Sequence, residues 1–564
     1  MSKEHICRLA AIMESKGIEQ VVVSPGSRNA PVIILFGRSN TLRMLSVADE
    51  RSAGFFALGL AMQSRKTVAL LCTSGSAVLN YAPAIAEAYY QNIPLLVLTA
   101  DRPIELIDQG DSQTIRQTGV FSSYIRKSFN LPATITTEGE RWFTDRIINE
   151  AIDRTCFPVP GPVQLNIPLD EPLYDLNVQE FPSVKIINYI NGSVVMSDQS
   201  VEIFREKWNS ASSRMVIAGQ MYPDAEIKKA LVRLAEEQGT VVLTETTSNL
   251  KHPSFINCID RTLALIPPSK NKEHTPDILI TFGGAVISKK VKAMLRNMKP
   301  ANHWHISTDP EQFHFDTYKS LTATINADPL YFISQLLTKG IKQSVENSFF
   351  NNWHETSAAT AVKHSTFAEK VPYGDFMVYH KAFQLLPPDT AVHLGNSTPV
   401  RYAQLFDHSE NITFYGNRGT SGIDGCTSTA AGFAFNHNKL TLLITGDIGF
   451  FYDSNALWNH HLSSNLRILL INNGGGNIFR IIDGPAGHAE LEPFIETRHD
   501  FRAKGIAASF NIQYYLAENE LELNYQLPVF FGDQPSGRPA ILEVVTDNIL
   551  SAQTLKDYFS FLRS

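Results

Sequence analysis

Short apolar runs that stop abruptly at Gly, Ser, Asp, Asn or Thr recur along nearly the whole chain: EQVVVSPGS, TVALLCTSGS, IPLLVLTAD and PVQLNIPL, then MVIAGQ, TVVLTETTS and DILITFGG, then AVHLGNS, LTLLITGD, RILLINNGG and AILEVVT. Helical patterns lie between them. Strands that alternate with helices cannot be joined by hairpins, so this pattern predicts α/β domains, each an open, mostly parallel sheet flanked by helices. At 564 residues the chain exceeds what one hydrophobic core supports. Polar stretches at 188–200 and 342–357 read as linkers and divide it into domains 1–187, 188–345 and 346–564.

Residues 441–476 narrow the chemistry. The run TLLIT stops at Gly446-Asp447, and RILLI stops at Asn472-Asn473 before three glycines, with about twenty residues of helical character between. Parallel strands end on the same edge of a sheet, so Asp447 and Asn473 are predicted to be neighbours. A carboxylate, an amide oxygen and a glycine carbonyl suit a hard cation such as Mg²⁺, which completes its shell with water and phosphate oxygens. Gly446 and the glycines at 474–476 let backbone come close to that phosphate. The implied ligand is a metal-bridged diphosphate. A capping Asp followed by a turn Asn pair would give the same letters.

Residues 66–100 lie over residues 439–473 without a gap, strand on strand and turn on turn. In that overlay Asp447 falls on Ser74 and Asn473 on Ala100, so the third segment carries oxygen ligands where the first has none. The overlay fits a duplication, and equally any two βαβ units.

A net charge of -7 without a basic block argues against general nucleic-acid affinity. The five cysteines are scattered, with no CxxC pair, so neither a zinc site nor a disulfide framework is suggested and a reducing cytoplasm fits best. The first residues place Ile6, Leu9, Ala10 and Met13 on one helix face and lack the apolar core of a signal peptide; no run is long enough to span a membrane. A cytoplasmic location is expected.

Gly-Asp followed by Asn-Asn at the end of the next strand resembles the cofactor motif of thiamine-diphosphate enzymes. SPGSRNAP (24–31), ADERSAGFFALGLA (48–61), TSGSAVLNYAPAIAEA (73–88), LTADRPIELIDQGDSQTIRQ (98–117), GNSTPVRYA (395–403) and GNRGTSGIDG (416–425) are together similar to the menaquinone-pathway synthases of that superfamily. The resemblance covers the first and third segments motif by motif and the middle one weakly. It departs at Ile448, where the wider superfamily has a third-position glycine.

The resemblance implies the thiamine-diphosphate enzyme fold, a pyrimidine-binding first domain, a central domain, and a third domain for diphosphate and metal. It implies a transferase that decarboxylates 2-oxoglutarate and adds the resulting carbanion equivalent to isochorismate, using thiamine diphosphate and Mg²⁺ or Mn²⁺. Glu50 matches the catalytic acid that bonds the cofactor's pyrimidine ring, although an acid at a helix start is more often a dipole partner. Ser74, Gly75, Gly446, Ile448, Ile478 and Phe479 match cofactor-binding positions, with Ile423 propping the bent cofactor. Asp447, Asn473 and Gly475 match the metal site. Ser27, Arg28, Arg102, Gln113, Lys289, Lys290, Ser397, Arg401 and Arg418 match substrate positions, the two lysines on the weaker central match. Arg28, Arg102, Arg401 and Arg418 each lie in a turn after an expected strand, where α/β sites are built. Because one domain holds the pyrimidine and another the diphosphate, the family pattern implies a homodimer, or a tetramer, with active sites between chains. The alternatives are a decarboxylase or carboligase of the acetolactate-synthase type, and a non-catalytic binding protein on the same fold.

Overall fold

The computed structural model describes residues 3–176, 181–337, 347–481, 484–532 and 537–564. The first sheet runs, in spatial order, β2 (Arg43–Ser46), β1 (Gln20–Val23), β3 (Val68–Cys72), β4 (Leu95–Asp101), β6 (Val163–Pro168) and β5 (Ser128–Asn130). The second holds β11 (Ala323–Ile325), β10 (Asn302–Ile306), β9 (Ile278–Phe282), β7 (Arg214–Ala218) and β8 (Val241–Thr244). The third holds β13 (Thr413–Tyr415), β12 (Ala391–Leu394), β14 (Thr441–Gly446), β15 (Leu466–Asn472), β17 (Ala540–Val545) and β16 (Gln513–Ala517). Every pairing between these strands is parallel. Three parallel α/β units follow, as the alternation of runs and helices predicts.

Every strand-like run named from the sequence is a strand. They are legible because strands covered by helices on both faces read as continuous apolar runs: β3, β4 and β15 are buried at every position. The first and third sheets share one strand order, so overlaying 66–100 on 439–473 puts β3 on β14 and β4 on β15, at the same places in their sheets.

Two readings need correction. The crossover after β14 contains only a short helix, Asp447–Tyr452, and a single turn at Ser454–Leu457. Of the expected linker 342–357, residues 342–346 and with them the 345/346 boundary lie outside the described residues. From Ser348 the chain is a helix, Ser348–Ala368, started by the Asn347 side chain accepting from Phe350 N at 3.1 Å. Its polar composition hid a sparse apolar face: Phe349 and Trp353 join a central-unit core, and His364 meets the Tyr558 hydroxyl of the third unit at 2.8 Å. The expected helix at the start is present as Glu4–Ser15, with Ile6, Leu9, Ala10 and Met13 buried.

The first and third units meet through helices Glu50–Ser64 and Cys426–Asn436. Their backbones nearly touch: a Cβ on Gly59 would lie 2.0 Å from Thr429 O, and one on Gly432 would lie 2.0 Å from Phe56 O. Neither neighbour is a flexible side-chain tip, so the helices would have to separate. Gly432→Ala is expected to cost about 3 kcal/mol, on the scale of overpacking a core, and to lower the Tm. Gly505→Ala, whose Cβ would meet nothing within 4 Å, is the control expected to leave Tm unchanged. Equal melting temperatures for both variants would refute the close-packing account.

Candidate active site

A cavity of about 490 Å³ opens at the carboxyl ends of β12, β14 and β15. Residues 396–399, 445–449 and 475–479, together with Asn473, form its floor. The segment bearing Arg418, Ser421 and Ile423 walls one side, residues 495–497 another, and Ile287, Lys289 and Lys292 of the central unit close it.

β14 and β15 pair in register up to Gly446 opposite Ile471, which delivers Asp447 to the turn after Asn472. The Asp447 carboxylate is buried. Its Oδ2 accepts from the backbone N–H of Gly474 at 2.8 Å and of Gly475 at 3.0 Å, with His499 Nε2 at 3.5 Å. Asn473 and Asn477 donate their Nδ2 groups to Oδ2 of buried Asp375, at 3.0 and 3.3 Å. Asp375 is itself fixed by Thr546 and Ser551, and burial pushes its carboxyl above the usual range. With the amide nitrogens tied down, both Oδ1 atoms are buried without a partner. Unsatisfied buried acceptors beside a carboxylate are costly unless something electropositive joins them. No cluster of three or more His, Cys, Asp or Glu occurs among the described residues. A cation here would therefore rest on one carboxylate, amide oxygens and backbone carbonyls, the donor set of a hard divalent ion.

The opposite flank is cationic. Lys289, Lys292, Arg401 and Arg418 line it, while Glu496, the other lining acid, is occupied by Arg480 at 2.6 Å. Burial, then the neighbouring Arg418, lowers the Arg401 pKa; burial also lowers those of Arg418 and Lys292. Arg401 Nη1 donates to the carbonyl of Ser397, and Arg418 Nη1 to Asn396 Oδ1 at 2.5 Å, while Arg418 Nε is buried and unpartnered. Among the described residues these four cations have no ion-paired carboxylate, an arrangement suited to anions.

Of the residues singled out in the sequence, Lys289, Ser397, Arg401, Arg418, Ile423, Gly446, Asp447, Ile448, Asn473, Gly475, Ile478 and Phe479 all line this cavity. Lys290 does not. It lies about 100° round the helix Lys289–Met298 from Lys289, and its Nζ sits 3.1 Å from the Phe559 ring centre. Lys292 shares the face of Lys289 at i+3 and was missed; counting helical period from the capping Ser288 would have found it.

The remaining residues gather at the carboxyl ends of the first sheet. Ser74 Oγ donates to Gln113 O at 2.9 Å and Gln113 Nε2 to Ser74 O at 3.2 Å, while Gly75, at φ 84°, donates its N–H to Gln117 Oε1 at 3.0 Å. Arg102 reaches Ser112 O and Asp111, and Arg28 reaches Leu169 O and Glu171; Ser27 is exposed beside it. Glu50 is the first residue of helix Glu50–Ser64, behind the Asp49 cap. It is half-buried near Cys72 and Tyr81, and its carboxylate has no hydrogen-bond or ion-pair partner among the described residues. None of these residues lines the third-sheet cavity of its own chain.

Residues 7–120 match the family model described as thiamine pyrophosphate enzyme, N-terminal TPP binding domain, and residues 190–393 match the one described as middle domain of thiamine pyrophosphate. Fold, cavity and these matches define a thiamine-pyrophosphate enzyme. Three relatives are named 2-succinyl-5-enolpyruvyl-6-hydroxy-3-cyclohexene-1-carboxylate synthase. That of Christiangramia forsetii is 40% identical over 99% of this chain and 98% of its own. Those of Flavobacterium johnsoniae (41%, covering 98% and 97%) and Bacteroides thetaiotaomicron (39%, covering 100% and 99%) are as similar. The chain belongs to the 2-succinyl-5-enolpyruvyl-6-hydroxy-3-cyclohexene-1-carboxylate synthase family.

Proposed function

We propose that this chain carries out thiamine-diphosphate-dependent decarboxylation of 2-oxoglutarate and joins the resulting four-carbon unit to isochorismate, in menaquinone biosynthesis. The observation that carries this reading is the division of one cavity into a lone carboxylate with unpartnered amide oxygens on one side and four cations on the other. The first side suits a divalent cation and a diphosphate; the second suits acidic substrates.

Asp447, the Oδ1 of Asn473 and the carbonyl of Gly475 would hold Mg²⁺ or Mn²⁺. Gly446, Ile448, Ile478 and Phe479 would pack around the diphosphate, and Ile423 would prop the folded cofactor. When bound, thiamine diphosphate supplies the electron sink for the carbanion left by loss of CO₂. Glu50, Ser74 and Gly75 would reach it from the partner chain's first unit, together with Ser27, Arg28, Arg102 and Gln113 for substrate; the support is that these residues lie apart from the cavity of their own chain. A homodimer is the minimal assembly on this reading, and its pairing into a tetramer is decided by mass. Five free cysteines fit a cytoplasmic enzyme, and no described helix is long and apolar enough to cross a membrane.

Both substrates are dianions, and Arg binds carboxylates through a bidentate fork. Replacing Arg102, Arg401 or Arg418 by alanine is expected to lower kcat/KM by about 2 kcal/mol each, the scale of one charge-assisted hydrogen bond, with cofactor affinity spared. Lysine recovers part of the loss. Wild-type kinetics in all three alanine variants would remove the acidic-substrate reading.

Mass spectrometry of the product from 2-oxoglutarate plus isochorismate, with and without thiamine diphosphate and Mg²⁺, tests the reaction. The expected product requires all four components. An acetolactate-type product, or CO₂ release indifferent to isochorismate, points to the carboligase or decarboxylase alternative, and absence of any turnover to a binding protein.

A further inference from the structure

We infer that Glu87 and Glu245, two buried carboxylates outside the cavity, are positioning residues that hold its cationic flank from the first and central units. This rests on the acidic-substrate reading above.

Glu87 lies on helix Ala82–Tyr90 and is fully buried. Its Oε1 accepts from Gly419 N at 2.7 Å and from Gln91 Nε2, and its Oε2 accepts from Thr420 N at 2.7 Å and Thr420 Oγ1 at 2.5 Å. No cation lies within ion-pair distance of it among the described residues. A buried carboxylate in that position is tolerated only if fixed donors satisfy it, and here three of the four come from the segment that carries Arg418, Ser421 and Ile423 into the cavity. The fit is close: a Cβ on Gly419 would come within 2.8 Å of Glu87 O.

Glu245 does the same for the other wall. It follows β8, is buried, and accepts from Ile287 N at 2.6 Å and Ser288 N at 2.7 Å. Ser288 caps helix Lys289–Met298 through Val291 N at 3.1 Å, so Glu245 fixes the end of the helix that presents Lys289 and Lys292. The charge of Glu245 also acts on Lys292 and Arg418, and that of Glu87 on Arg418.

Lys289, Lys292, Arg401 and Arg418 share one wall of the cavity, where Lys292, Arg401 and Arg418 are half-buried, and like charges there repel; a direct ion pair would occupy the donors a ligand needs. Carboxylates set behind the backbone leave those donors free and offset the repulsion through their field, Glu245 doing so above the pH of about 7 to which burial pushes its carboxyl. The unpartnered Nε of Arg418 fits that arrangement.

The test uses purified full-length enzyme carrying Glu87→Gln or Glu245→Gln, assayed for KM and kcat with 2-oxoglutarate and isochorismate, for thiamine diphosphate affinity, and for Tm. The expected result is a KM raised about tenfold for at least one acidic substrate, with kcat and cofactor affinity within about threefold. In an Arg418→Ala background Glu87→Gln is expected to add little, because both changes act through one guanidinium. A purely structural role would move Tm and kcat equally in both backgrounds. Thr420→Val, which removes only the hydroxyl donor to Glu87, is expected to give a smaller KM effect with the same dependence on Arg418, and serves if Glu87→Gln does not fold. Unchanged KM in the variants, or equal losses with and without Arg418, would overturn the inference alone. No turnover of 2-oxoglutarate by the wild type would overturn the reaction assignment and this inference with it.

Discussion

Asp447→Ala is expected to abolish cation-dependent retention of thiamine diphosphate. Among the described residues that line the cavity, Asp447 has the only acidic side chain not already paired with an arginine, and it sits against the N–H groups of Gly474 and Gly475. Without it a divalent ion would have amide and carbonyl oxygens alone, too little charge to bridge a diphosphate. Cofactor affinity in the presence of Mg²⁺ is expected to fall by about 3 kcal/mol or more, the scale of losing a charged partner from a buried site. Calorimetry with and without Mg²⁺ measures it. Asp447→Asn separates charge from shape: it keeps one acceptor for the glycine N–H groups yet is expected to lose the Mg²⁺ dependence as fully as alanine does. Undiminished Mg²⁺-dependent binding in either variant would remove the metal assignment.

What the sequence reveals of this site follows from how the site is built. Asp447, Asn473 and the glycines after them lie immediately beyond apolar strands, so a reader who finds the strand ends finds the residues. β10 was harder to see: Asn302–Ile306 reads NHWHI, and its two histidines are tolerated inside because His303 Nε2 and His305 Nδ1 meet the hydroxyl of Thr281 at 2.9 and 3.0 Å. The short edge strands β2, β5 and β13 carry too few apolar residues to stand out. The supporting residues were not legible for another reason. Asp375 acts on Asn473 and Asn477 from about a hundred positions away, Glu87 on Gly419 from more than three hundred, and Glu245 on Ser288 from 43, with helix Ile259–Leu263 and β9 between. Neither spacing nor hydrophobic period encodes such partners; packing of the sheets brings them together. Lys290 and Lys292 fall between these cases, since helical period alone separates them once the cap at Ser288 is known.

Glu50→Gln is expected to lower kcat by roughly 10²- to 10³-fold, within the range of losing a proton-transferring acid, with cofactor affinity nearly unchanged. The half-buried carboxylate at a helix start has no hydrogen-bond or ion-pair partner among the described residues and is free to engage a group from another molecule. The amide keeps its shape and one acceptor but cannot share a proton, so hydrogen-deuterium exchange at the thiazolium carbon should slow in the variant. Mixing Glu50→Gln chains with Asp447→Ala chains then tests where the site is. If one chain's Glu50 serves the cavity holding its partner's Asp447, each mixed dimer contains one site with both residues intact and one with neither. Equal mixing makes about half the dimers mixed, so roughly a quarter of wild-type activity should return from two preparations that are each nearly inactive. Were each site built within a single chain, every site in the mixture would lack one of the two residues and no activity would return. Mixed dimers verified by mass that stay as inactive as their parents would thus place Glu50 and Asp447 of one chain in the same site.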